Sequence, residues 1–79
     1  MNMNYYVYVL RSEVNSRLYT GSTNNLDRKL EEHNSGSSKY TRLTKPFNLV
    51  YYEQYSTRTE AVRRERYLKT GKGRDELKN

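Results

Sequence analysis

The apolar positions of the chain fall into short runs with different periods, separated by polar stretches. Tyr5-Tyr6-Val7-Tyr8-Val9-Leu10 is apolar at both parities, the pattern of a strand covered on both faces. The segment 12–17 is polar and holds the pair Asn15-Ser16, after which Leu18-Tyr19-Thr20-Gly21 resumes strand composition. Two such runs around a polar connection predict a hairpin. Asn24-Asn25 then offers a helix cap, and Leu26, Leu30 and His33 follow four and three residues apart until Asn34-Ser35-Gly36 stops them. That spacing is one face of a helix. Residues 36–46 read as a polar loop with no period. Phe47–Tyr55 reads as a third strand, with Phe47, Leu49 and Tyr51 on one face and Val50 and Tyr52 on the other.

Thr57 with Glu60 three residues on is a capping box, and it opens a helix whose inner face is drawn by Ala61, Glu65 and Leu68. This helix is expected to end near Thr70-Gly71, and 74–78 adds a short further helix anchored by Leu77. The order β-β-α-β-α-α predicts an α/β fold in which the hairpin pairs with the third strand and the helices cover the resulting sheet.

Composition narrows the function. At 79 residues the chain is expected to be one domain, 1–79, with one small core. It has no cysteine, which removes disulfides and cysteine-ligated zinc, and no apolar run of membrane-spanning length. Residues 1–4 lack the pattern of a signal peptide, so a soluble cytoplasmic protein with no membrane partner is expected. The formal charge is +6, and 57–79 carries eight basic against four acidic residues. An excess of that kind suits a polyanion, whose counterions are released on binding, although a solvated helical face produces the same count. The chain also holds nine tyrosines and no tryptophan. Tyrosine can fill a core with its ring, and it can also stack on a base, which suits single-stranded DNA.

Glu65 occupies an inward helical position where an apolar residue is expected. It reads either as one half of a buried ion pair or as a ligand to a hard divalent cation. Lys29 and His33 lie about one turn apart beside the Leu26–Leu30 stripe, a cation and an imidazole on one face, whereas Arg28 projects about 200° from Leu26 toward solvent. Tyr8 and Tyr19 sit on adjoining strands, and their hydroxyls converge if the register allows. A phenol relays a proton from water when a nearby cation lowers its pKa. With one histidine and scattered carboxylates, paired-histidine and two-metal sites are excluded, and the four glycines form no phosphate-cradling loop. Arg28, Arg42, Arg64, Lys69, Lys72 and Arg74, with Tyr40 in the loop, are the candidate nucleic-acid contacts.

These residues resemble the GIY-YIG nuclease superfamily, in particular its small stand-alone bacterial members. Val7-Tyr8 stands where that family has the Ile-Tyr of its first motif, with Tyr6 at the glycine, and Tyr19-Thr20-Gly21 stands for the second motif. The segment from Asn25 to Gly36 is similar to the family's first helix. Arg64-Glu65-Arg66-Tyr67-Leu68-Lys69 with Gly71-Lys72-Gly73 is similar to its metal-binding helix and tail.

The resemblance implies a three-stranded antiparallel sheet flanked by helices. It also implies a metal-dependent endonuclease hydrolysing phosphodiester bonds in DNA with one magnesium or manganese ion on Glu65. Tyr8 would be the general base, with Tyr19 and His33 positioning water and phosphate. One position departs: the family's arginine ten residues after the second-motif tyrosine is here Lys29. Lysine keeps the charge and loses the planar fork that grips two phosphate oxygens. A slower nuclease and a nucleic-acid-binding module with little or no catalysis are both compatible with that exchange.

Overall fold

In the computed structural model, residues 4–36 and 39–78 are described, apart from the side chains of Tyr40 and Lys78. The elements are β1 (Tyr5–Ser12), β2 (Leu18–Thr23), α1 (Leu26–Asn34), α2 (Lys39–Thr44), β3 (Phe47–Tyr55), α3 (Arg58–Leu68) and α4 (Gly71–Lys78). The strands form one antiparallel sheet in the order β2-β1-β3. The β1 run is apolar at both parities because this strand is central: Val7, Tyr8, Val9 and Leu10 are all buried. Tyr8 and Leu10 meet Phe47, Leu26 and Leu30 on the α1 side of the sheet. Val7 meets Ala61 and Leu68 on the α3 side, closed by Tyr5, Tyr55 and Leu77. Each fully buried leucine here contributes about 1.5–3 kcal/mol. No described helix is long and apolar enough to cross a membrane.

The predicted signals have physical counterparts. Asn25 caps α1 by accepting from the Arg28 amide at 3.0 Å, and Gly36 ends the segment with φ +72°. Thr57 accepts from the Glu60 amide at 3.2 Å and reaches the Glu60 carboxylate at 2.9 Å, the capping box of α3. Thr70 caps α4 through the Gly73 amide at 3.2 Å. A Cβ at Gly73 would stand 2.5 Å from the Leu68 Cα and against the Tyr67 carbonyl, so glycine is what lets α4 fold back on α3. In the hairpin, Ser12 accepts from the Val14 and Asn15 amides at 3.1 and 3.3 Å and donates to the Thr44 carbonyl at 2.5 Å. One small hydroxyl thus joins the turn to the segment before β3.

Two expectations are corrected. The 36–46 loop contains α2, which was hidden because its inward positions are threonines: Thr41 and Thr44 are buried, while Leu43 is 67% exposed. The faces of β3 also differ from strict alternation. Val9 pairs with Tyr51 but Leu10 pairs with Leu49, so Val50 is an extra residue at a bulge. Phe47 and Leu49 therefore share the α1 face, and Tyr51 turns to the other, because one inserted residue inverts the parity beyond it.

Candidate active site

Strand pairing sets the tyrosines. Tyr8 lies opposite Gly21, and Leu10 lies opposite Tyr19, so Tyr8 and Tyr19 are diagonal neighbours on the α1 face. The Tyr8 ring lies across β1 onto β2. A Cβ at Gly21 would stand 2.6 Å from its Cζ and closer still to its hydroxyl. This position accepts only glycine while the phenol stays where it is. His33 enters from α1 and meets Tyr8, Tyr19 and Phe47 edge-on, with ring centroids 6.3, 4.7 and 5.5 Å apart. Its Nδ1 is 2.9 Å from the Lys29 carbonyl. A carbonyl only accepts, so Nδ1 carries a proton and donates it to that carbonyl. Burial pushes the Tyr8 phenol up to about 12, helped by Tyr19, Glu65 and Glu32. At neutral pH Tyr8 is a hydrogen-bond donor, and it becomes a base only beside added positive charge.

Glu65 approaches from the opposite face. Its Oε1 accepts from Ser22 at 2.6 Å, and its Oε2 holds the Lys69 ammonium at 2.7 Å. Ser22 pairs with Val7 and so faces α3. The candidate residues therefore straddle the sheet along β2, which is an edge strand, and the charge of Glu65 is still felt at Tyr8. Partial burial opposes ionisation of Glu65, but hydrogen bonds from Lys69 and Ser22 and the charges of Lys69 and Arg66 outweigh it and hold the carboxyl below the usual range. Among the described residues no three His, Asp or Glu side chains cluster. Glu65 is the residue that could hold a divalent cation. An ionised oxygen donor already serving an ammonium fits a single hard ion completed by water and phosphate, as magnesium accepts, and does not fit a two-metal site.

The cations are arranged around this carboxylate. Lys29 is partly exposed and pairs with Glu32 at 3.3 Å, and the same carboxylate holds Arg28 at 3.7 Å. Arg28 is exposed as its spacing predicts. Yet Arg28, Lys29, Ser22 and Arg58 all line one groove of about 300 Å³, so the solvent side of α1 faces the cleft. Lys69 and Arg74 line a second groove at the other end of β2.

Other candidates stand elsewhere. Arg64 is held by Glu53 at 2.9 Å and Glu76 at 2.8 Å, with Tyr51 and Tyr55 donating to the same Glu53 carboxylate. This network ties β3, α3 and α4 together, and the structure does not bring Arg64 to Glu65. Arg42 packs over Gly36 on α2, and Lys72 is exposed on α4 outside both grooves. Tyr40 belongs to α2, and its side chain lies outside the described residues. Sequence reasoning missed Ser22, Arg17 and Arg58. Of these, Ser22 had a usable signal: strand alternation sets it on the face opposite Tyr19 and Gly21, toward the helix that carries Glu65.

Known proteins resemble this chain in fold and sequence. A solution NMR structure of a UPF0213 protein from Bacillus halodurans superimposes with a TM-score of 0.57 at 37% identity, covering 95% of this chain and 82% of that one. A UPF0213 protein of Staphylococcus haemolyticus is 43% identical over 75 residues, 94% of this chain and 90% of the relative. One from Clostridium perfringens is 48% identical over 65 residues, 81% of this chain and 69% of the relative. The GIY-YIG catalytic domain matches residues 4–79, and the chain belongs to the GIY-YIG nuclease family.

Proposed function

We propose that this protein is a metal-dependent endonuclease that hydrolyses phosphodiester bonds in DNA, with Glu65 as the metal-holding residue. One observation carries the reading: an ionised carboxylate on a sheet edge, between two cation-lined grooves and within electrostatic reach of a buried tyrosine. Glu65 would hold a magnesium or manganese ion, which would supply positive charge to the scissile phosphate and lower the Tyr8 pKa. With its pKa so lowered, Tyr8 gives its own proton to solvent and then takes one from the attacking water, whose oxygen bonds to phosphorus as the phosphorus–oxygen bond to the leaving strand breaks and that oxygen picks up a proton from solvent. His33 meets the phenol edge-on and Tyr19 packs on His33, and both help to position water and phosphate. Lys29 and Arg28 neutralise phosphate oxygens from the α1 side.

Labelled single- and double-stranded DNA incubated with magnesium or manganese provides the test. Cleavage that disappears in Glu65→Gln supports the reading, and absence of cleavage by the parent sinks it. The second reading, a nucleic-acid-binding module with little catalysis, draws on Lys29, which lacks the guanidinium fork and is drawn to Glu32. A gain of tenfold or more in cleavage by Lys29→Arg favours the nuclease, whereas salt-sensitive binding without cleavage in both proteins favours the binding module.

A further inference from the structure

The groove at the Leu18 end of β2 combines features that packing alone does not explain. It is about 570 Å³ and is lined by Arg17, Leu18, Tyr19, Lys69, Arg74 and Leu77 over a floor that includes the buried Leu68. Among the described residues no carboxylate lines it. Arg17 and Arg74 have no ion pair among the described residues, in contrast to Arg64, which two carboxylates hold. Leu18 is 44% exposed in the middle of this cationic rim. Lys69, on the groove wall, is in contact with Glu65, so the groove begins one side chain away from the carboxylate.

We infer that this groove binds one unpaired nucleotide next to the phosphate at Glu65, with its phosphate on the Arg17, Lys69 and Arg74 rim and its base against Leu18 and Leu77. The inference rests on the nuclease reading for its position and on the groove for its selectivity. Guanidinium groups suit phosphate oxygens, whereas exposed leucines offer a phosphate nothing. A base presents a flat apolar face that aliphatic side chains cover. The volume lies in the range of about 300–1,000 Å³ typical of small-molecule sites. A base paired in a duplex keeps its faces stacked inside the helix and exposes only its edges, so it enters such a cleft only when unpaired. The groove thus selects a single strand, or a nucleotide displaced from a duplex, beside the cutting site.

Binding in the absence of divalent metal separates this inference from catalysis. Fluorescence anisotropy with dT and rU oligomers of about 12 nucleotides, within the site sizes of single-strand binders, is compared with a hairpin duplex at one salt concentration. The parent is expected to bind a single strand at least tenfold tighter than the duplex, and preference between dT and rU identifies the natural strand. Leu18→Asp is expected to weaken single-strand binding at least tenfold while changing duplex binding less than threefold. Arg17→Gln, an exposed change that leaves the fold intact, is expected to weaken single-strand binding and lower its salt slope by about one. Equal affinity for strand and duplex, or equal weakening of both by Leu18→Asp, overturns the groove assignment even if cleavage persists. Selective single-strand binding without cleavage by the parent retains the groove and sinks the nuclease.

Discussion

Gly21→Ala tests whether the Tyr8 phenol is held in place by the strand it crosses. The added methyl would stand 2.6 Å from the Tyr8 Cζ, while carbon atoms rest about 3.5–4.0 Å apart, so the ring must withdraw by about 1 Å. There is little space behind it. Tyr8 is 4% exposed and packed with Leu10, Phe47, Leu26 and Leu30, and His33 stands at its edge. Overpacking of this kind costs about 1–3 kcal/mol. In a domain of this size each kcal/mol lowers Tm by about 4–8 °C. A displacement of about 1 Å at a reacting group lowers its rate by about 100-fold. Calorimetry and single-turnover cleavage, measured where both proteins are folded, read the two effects separately. Gly71→Ala is the control, since a Cβ there meets nothing within 4 Å. Parent-like melting and cutting by Gly21→Ala would refute the claim that Gly21 sets the phenol.

Three other outcomes follow from contacts in the structure. The Tyr8 pKa is raised from 10.0 to about 12, so the protonated phenol is favoured in the folded chain and its contribution, about 2–3 kcal/mol, is complete below about pH 10 and lost as pH rises toward 12. Urea unfolding at about pH 9 and about pH 11.5 should show the parent losing more stability than Tyr8→Phe, and equal losses would refute the shift. Lys69→Met removes the ammonium 2.7 Å from Glu65 and is expected to tighten Mn²⁺ binding about tenfold, since about 1.4 kcal/mol is tenfold. An electron paramagnetic resonance titration without DNA reads this, and unchanged or weaker affinity counts against Glu65 as the ligand. Arg64→Met removes the guanidinium that bridges Glu53 and Glu76 and is expected to cost about 1–3 kcal/mol in urea unfolding. DNA affinity should change by less than about twofold, and the reverse pattern would place Arg64 at the nucleic acid.

What was legible in the chain was whatever a single element writes into its own period or cap. The central strand announced itself because both its parities are buried, and the helices because Asn25 and Thr57 satisfy their first amides. The parts that misled depend on neighbours. α2 buries Thr41 and Thr44 rather than leucines, so its inward face carries no apolar signal. The bulge at Val50 follows from pairing with β1, and nothing within β3 marks it. A period reports burial of apolar groups, and it is silent where hydroxyls are buried or where the partner strand sets the register.

The site follows the same division, with a consequence for its chemistry. Spacing placed Tyr8 and Tyr19 on paired strands and set Glu65 inward on its helix, but it could not say that they reach the site from opposite faces of one sheet. That arrangement works only at an edge strand, and β2 is one. Facing α3, Ser22 takes hold of Glu65, and Gly21, facing α1, makes way for the Tyr8 phenol, so adjacent residues of one strand serve the two halves. Such closeness explains why Glu65 and Tyr8 influence one another without touching: a carboxylate across the strand raises the phenol, and a cation bound to that carboxylate would lower it. On the proposed reading, a metal ion held by Glu65 would therefore set whether Tyr8 donates a proton or accepts one.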